Sequence, residues 1–324
     1  MRVTTKAALG VAVAAVLLGA VELGLRLAGW PKSDGGRHYT HNEVYWSTPA
    51  DLHMEPFDHK ERGGTFAVST DANGVRGPFH PTERTPGTYR VMALGCSTTF
   101  GWGVEDAETY PARLEAILTE EGHPVEVING GQPGHSSFQG LWFWDTVLAR
   151  YQPDLVIFGY IVQDARSVAY SDRSQAVLQG NAEFLKRNLL YRLKLYVLLR
   201  ETIAGEQIVS KESGEVQRVP PAEYVENIRA MKKRVDTIGA RMVLFGYPLE
   251  REGYTGAHRA ILHAAAEDDS LGRPPVYDPQ PEMESLSSQQ ALYFPQDRGH
   301  ANAAGSEVIA RGMAQFLVAH QLLP

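Results

Sequence analysis

The stretch Val91-Met92-Ala93-Leu94-Gly95-Cys96-Ser97-Thr98-Thr99-Phe100-Gly101 decides the fold. Four apolar residues run into a glycine-flanked polar turn and then a helix-like segment, which reads as a strand ending in a tight turn. Outward from it, strands are expected at 89–95, 124–129 and 154–160, with helices at about 108–122 and 137–150. The alternation resumes with a helix at about 221–238, a strand over 241–248, a helix near 255–267, a short strand around Val276 and Tyr277, and a last helix at about 302–319. Alternating strands and helices imply a parallel sheet covered by helices, here a three-layer α/β/α fold with about five parallel strands.

Three further regions complete the expected organisation. Residues 1–30 form a signal-anchor or transmembrane segment: from Ala7 through Ala28 the chain is predominantly apolar, and as a helix it would extend roughly 33 Å, enough to cross a bilayer. Glu22 and Arg26 stand four apart, so they can pair on one face near the membrane boundary. Residues 31–85, rich in Pro, Gly, His and charge, read as a linker with a small β-hairpin built on Thr65–Ser69 and the turn Asp71-Ala72-Asn73-Gly74. Residues 86–324 form the α/β domain, with an insertion at about 165–220. Within that insertion, 184–200 is basic and amphipathic, either a helix packed on the domain or one lying on an anionic membrane.

Composition narrows the function classes. The 324 residues, 43% of them hydrophobic, can bury a full core. A net charge of −7 with no Lys/Arg cluster argues against a nucleic-acid partner. A single cysteine, Cys96, forbids an internal disulfide and a Cys-rich zinc site. His38 and His41, three apart without Cys or acidic neighbours, read as part of a polar linker rather than a metal site.

The chemistry concentrates in two turns. A serine hydroxyl is a weak nucleophile unless a base lies within hydrogen-bond reach and a third group orients that base. Ser97, at the carboxyl edge of the sheet, is the best-placed candidate. Alternatives for its turn are an ordinary helix cap, a phosphate loop lacking the usual Gly-Lys ending, and a thiolate nucleophile at Cys96. Downstream, Asp297-Arg298-Gly299-His300 supplies a carboxylate and an imidazole three apart, where Asp297 can hold one ring nitrogen of His300 and leave the other for Ser97. A plain helix-capping loop is the other reading of that tetrapeptide.

From about Tyr89 to the C-terminus the chain resembles the SGNH, or GDSL-like, lipase and acylhydrolase superfamily. The usual Gly-Asp-Ser appears as Gly95-Cys96-Ser97, the second block is similar to Ile128-Asn129-Gly130-Gly131-Gln132-Pro133-Gly134, and the fourth matches Asp297 and His300 followed by Asn302-Ala303-Ala304-Gly305. The third block, normally Gly-x-Asn-Asp, departs: after Pro153-Asp154-Leu155-Val156, register puts Gln163 where asparagine is expected, followed by Asp164. The resemblance implies an ester hydrolase in which Ser97, His300 and Asp297 react, while the amides of Ser97 and Gly134 and the Gln163 side chain bind the oxyanion, with no metal or organic cofactor. Gln163 would have to accommodate one more methylene; losing such a donor costs on the order of 3 kcal/mol. Asp164 is expected to support the loop, Asp154 to cap a strand start, and His135 either to touch substrate or to sit at the rim.

The expected partners are ester substrates such as acetylated carbohydrate or lipid, envelope polymers among them, and a membrane through the N-terminal helix, with the domain outside the cytoplasm. Two rivals remain open at this level: an O-acetyltransferase using the same triad, and a non-catalytic carbohydrate-binding protein.

Overall fold

The computed structural model describes residues 2–30, 44–59, 64–168, 171–180, 193–199, 202, 216–251 and 253–324. His38, His41 and 184–192 of the basic segment lie outside the described residues. Strand β3 (Tyr89–Gly95) lies between β4 (Val125–Asn129) and β5 (Leu155–Gly159), and β8 (Arg241–Phe245) and β9 (Val276–Tyr277) extend the sheet on the β5 side. All four pairings are parallel. Parallel strands need helical crossovers, and the sequence supplies one for each: Tyr110–Glu120, Ser137–Thr146, Pro221–Thr237 and Gly256–Ala266. The first packs with the C-terminal helix Ala303–Ala319, and the other three pack in succession along the chain, giving two helical layers. Val91, Leu94, Val156, Ile157 and Phe158 are wholly buried between those layers, which explains the uninterrupted apolar run of the strands.

The strand order β4-β3-β5-β8-β9 places the site. The chain leaves β3 in one direction to form β4, then crosses back over β3 to form β5. Loops therefore diverge at the carboxyl ends of β3 and β5 and leave a crevice, the topological switch point of an open parallel sheet. Ser97 follows β3 and Gln163 follows β5.

Residues 44–59 and 64–85 are in part packed on the α/β domain. The hairpin exists, with β2 (Gly64–Ser69) pairing antiparallel to β1 (His53–His59), while the turn at Asp71–Gly74 closes a separate bridge between Thr70 and Arg76. The segment lies on the α/β domain: Val44, Phe66, Val68 and Val75 are buried, and Arg76 bridges to Asn129 at the end of β4. Two buried arginines, Arg76 within it and Arg90 in β3, tie it down. The Arg76 guanidinium is fully buried, pairs with Asp106 at 2.7 Å and donates at 2.6 Å to each of the carbonyls of Phe100, Gly101 and Val104. Arg90 is equally buried, binding Glu126 at 2.6 Å and the carbonyls of Pro81, Thr82, Glu83 and Tyr151. At the start of β5, Asp154 accepts the Arg90 amide at 2.8 Å and pairs with Arg84.

The N-terminal helix Arg2–Leu27 contains a span, Ala8–Leu27, long and apolar enough to cross a membrane and unburied by the rest of the chain. Glu22 pairs with Arg26 at 2.7 Å and also accepts the backbone N–H groups of Lys194 and Leu195 at 2.9 and 2.8 Å, joining the helix to the insertion.

Removing one partner from a buried ion pair leaves unpaired polar groups behind, so Arg76→Ala should destabilise the domain by about 3 kcal/mol. Urea unfolding of the detergent-solubilised chain measures this; a change below about 0.5 kcal/mol, the level of an ordinary surface substitution, would contradict the role given to Arg76.

Candidate active site

The turn after β3 has little room. A side chain at Gly95 would run into Thr99, so only glycine allows the chain to fold back at once into the short helix Ser97–Phe100. Gly101 closes that helix in the left-handed region with φ 79°, donating to the Ser97 carbonyl at 2.9 Å. Arg76 holds the carbonyls at its far end. Ser97 is the helix's first residue, so its N–H falls outside the helical hydrogen-bond ladder.

His300 arrives from β11 (Asp297–Ala301), the second strand of a hairpin with β10 (Tyr293–Phe294). The Tyr247 hydroxyl accepts the Ala301 amide at 3.0 Å, and Asn302 caps the following helix by accepting the Gly305 N–H at 3.0 Å. So held, His300 Nδ1 lies 2.8 Å from Asp297 Oδ2 and 3.0 Å from Oδ1, while its Nε2 lies 2.7 Å from Ser97 Oγ. A carboxylate only accepts, which puts the ring proton on Nδ1 and leaves the Nε2 lone pair to receive the serine proton. The relay joins residues 203 apart in sequence.

Cys96 sits beside Ser97 but faces the core, with 1% of its surface exposed, and burial pushes its thiol pKa up. A protonated, inaccessible thiol is inert, which removes it as a rival nucleophile.

The loop 130–134 runs along the serine turn, the Gln132 amide donating to the Gly95 carbonyl at 3.0 Å. Gly134 takes φ +77°, a conformation that favours glycine, and the Trp46 ring lies where a side chain would project. Its carbonyl accepts from Arg218 Nη1 at 2.6 Å, and the same nitrogen reaches Gln163 Oε1 at 3.1 Å. Gly134 and Gln163 are thus brought together. Asp164 is fully buried under this loop, accepting the Ser137 amide at 2.9 Å; burial pushes its carboxyl up to about 7.

His135 is not at the rim. It has no exposed surface, packs edge-on against Trp46 and Phe143, and donates from Nε2 to the Trp46 carbonyl at 2.6 Å. The reason lies in residues 44–48, which cover the loop: Trp46 Nε1 donates to the Pro133 carbonyl at 3.0 Å and the Thr48 amide donates to Gln132 Oε1 at 2.8 Å. Burial lowers the His135 pKa to about 3. Neither Trp46 nor Arg218 carries a local sequence signal, since the side-chain partners of Arg218 lie 46 or more positions away and the Pro133 carbonyl that Trp46 reaches lies 87 away. Among the described residues no cluster of His, Cys, Asp or Glu could hold a metal ion.

No family model matches the sequence, and no curated protein matches it. Among solved structures the chain is similar to LAE5, an alpha/beta hydrolase enzyme from the metagenome of Lake Arreo, Spain, with TM-score 0.48 and 19% identity over 73% of this chain and 96% of that one. It is also similar to the acetyl xylan esterase AlAXEase, with TM-score 0.48 and 14% identity over 70% and 99%. A catalytic mutant of Axe2, an acetylxylan esterase from Geobacillus stearothermophilus, matches with TM-score 0.45 and 14% identity over 70% and 93%.

Because folded His135 stays neutral below 6.5, where the unfolded chain takes up the proton, stability gained from it is complete at neutral pH and lost as pH falls toward 3. Between pH 6.5 and 4 the loss amounts to about 3 kcal/mol, at roughly 1.4 kcal/mol per unit. Urea midpoints of wild type and His135→Gln compared across this range should show a shallower pH slope in the variant; equal slopes would contradict the buried neutral imidazole.

Proposed function

We propose that this chain is a membrane-anchored serine esterase that cleaves carboxylic esters through an acyl-enzyme on Ser97. The observation that carries the reading is the continuous relay from Ser97 Oγ through the His300 ring to Asp297, at 2.7 and 2.8 Å. Ser97 Oγ attacks the ester carbonyl carbon while its proton passes to His300 Nε2, and Asp297 stabilises the imidazolium. The tetrahedral oxyanion is bound by the amides of Ser97 and Gly134 and by the Gln163 amide. Collapse breaks the carbon–oxygen bond to the alcohol, which leaves with the proton from His300. Water then attacks the acyl-enzyme carbonyl carbon, giving one proton to His300; collapse breaks the carbon–oxygen bond to Ser97, whose oxygen takes that proton back as the carboxylic acid leaves.

The substrate class follows from this chemistry and from location. An acylated carbohydrate or lipid of the cell envelope suits a site held at a membrane with its domain on the extracytoplasmic side.

A fluorophosphonate probe should label wild type and Cys96→Ala but not Ser97→Ala, and p-nitrophenyl acetate turnover should fall by about four to six orders of magnitude in Ser97→Ala. Full labelling of Ser97→Ala would overturn the assignment of the nucleophile. Orientation has its own check: alkaline phosphatase fused after Pro324 should be active in intact cells, and an inactive, fully expressed fusion would contradict the outward placement.

A further inference from the structure

We infer that Arg218 is the positioning residue of the oxyanion site, fixing which end of the Gln163 amide faces the reacting carbonyl; the inference rests on the esterase reading above. A guanidinium has donors only, so every atom it touches must accept. Arg218 touches four acceptor groups from four parts of the chain. Nη1 reaches the Gly134 carbonyl at 2.6 Å and Gln163 Oε1 at 3.1 Å, Nη2 reaches Gln139 Oε1 at 2.6 Å, and Nε reaches Asp172 at 2.9 and 3.0 Å. Asp172, itself buried, also accepts the Ser136 hydroxyl at 2.5 Å.

The consequence for Gln163 is directional. A glutamine side chain is longer than asparagine by one methylene, and its amide can present either oxygen or nitrogen to a neighbour. Oxygen aimed at a developing oxyanion would repel it. With Oε1 held by Arg218, Nε2 is the end that remains to donate. The same nitrogen fixes the carbonyl of Gly134 and so the plane of the peptide that follows it. Trp46 grips the loop from another side, through the Pro133 carbonyl at 3.0 Å, with the Arg218 guanidinium 5.7 Å over its ring.

Arg218 comes from the end of the insertion, and short strands deliver it. Strand β6 (Ser167–Val168) pairs antiparallel with β7 (Val216–Gln217), the Arg218 amide donates to the Arg166 carbonyl at 2.7 Å, and the Val219 amide donates to the Asp164 carbonyl at 3.0 Å. The ends of the insertion are thereby pinched together beside the Gln163–Asp164 turn. In this chain the longer amide and the inserted arginine work as one device, each compensating for the other's departure from a simple asparagine.

The test is a double-mutant cycle on the full chain in detergent with p-nitrophenyl acetate. Arg218→Met and Gln163→Ala should each lower kcat about 10- to 100-fold with KM changed less than twofold, since the lost interaction belongs to the transition state. The double variant should be no slower than the slower single one. Losses that multiply, or a rise in KM at constant kcat, would overturn the inference while leaving the esterase reading intact; wild type without turnover and without Ser97 labelling would overturn both. If Arg218→Met does not fold, Arg218→Lys replaces it in the cycle: its single ammonium can satisfy Asp172 but cannot span the diverging Gly134, Gln163 and Gln139 oxygens.

Discussion

The site exists because the crossovers that follow β3 and β5 run in opposite directions along the sheet. One helix carries the chain from β3 to β4 and the next carries it back over β3 to β5, so the loops at the carboxyl ends of β3 and β5 part and no helix fills the gap between them. Everything chemical is built into that crevice. The serine turn closes one side, the turn bearing Gln163 and Asp164 the other, and the β10–β11 hairpin brings the imidazole across from the end of the chain.

Holding such loops in place is an electrostatic problem as much as a packing one, because a sharp turn leaves backbone carbonyls without partners. Three arginines with little or no exposed surface answer it: Arg76 and Arg90 each donate to several backbone carbonyls at once, and Arg218 to the Gly134 carbonyl and two side-chain amide oxygens. Arg90 binds 81–83 to the sheet, Arg76 clamps the far end of the serine helix, and Arg218 clamps the Gly134 loop to the insertion. Each is also paired with a carboxylate, Glu126, Asp106 and Asp172 respectively, as a charge removed from water requires. The core supplies the bulk of the folding free energy; these cations decide where the loops stop.

What the sequence made legible follows the range of the interaction. Strands, helices and their order come from periodicities within a dozen residues, and the structure has five parallel strands where the pattern expected them. Asp297 and His300 sit three apart and orient one another locally, so their pairing could be read directly. Their meeting with Ser97, across 203 residues, leaves no local pattern and is legible only in the coincidence of two chemically complementary turns, which the resemblance then strengthens. His135, Thr48, Thr70 and Arg76 are the opposite case: polar side chains in loops imply exposure, yet these four are buried and bonded. Arg76, Arg218 and Trp46 lay beyond reach because an arginine or tryptophan in a loop looks the same whether it faces water or a distant carbonyl.

The central claim is a covalent one, that acyl groups pass through Ser97. Its most direct measurement is peptide mapping by mass spectrometry of the full chain quenched in acid during turnover of p-nitrophenyl acetate. The account predicts one acetyl group on the peptide that contains Ser97, localised by fragmentation to the serine oxygen and lost on further incubation in substrate-free buffer. Acetylation confined to another side chain, or turnover that proceeds with Ser97 unmodified at every quench time, would contradict it.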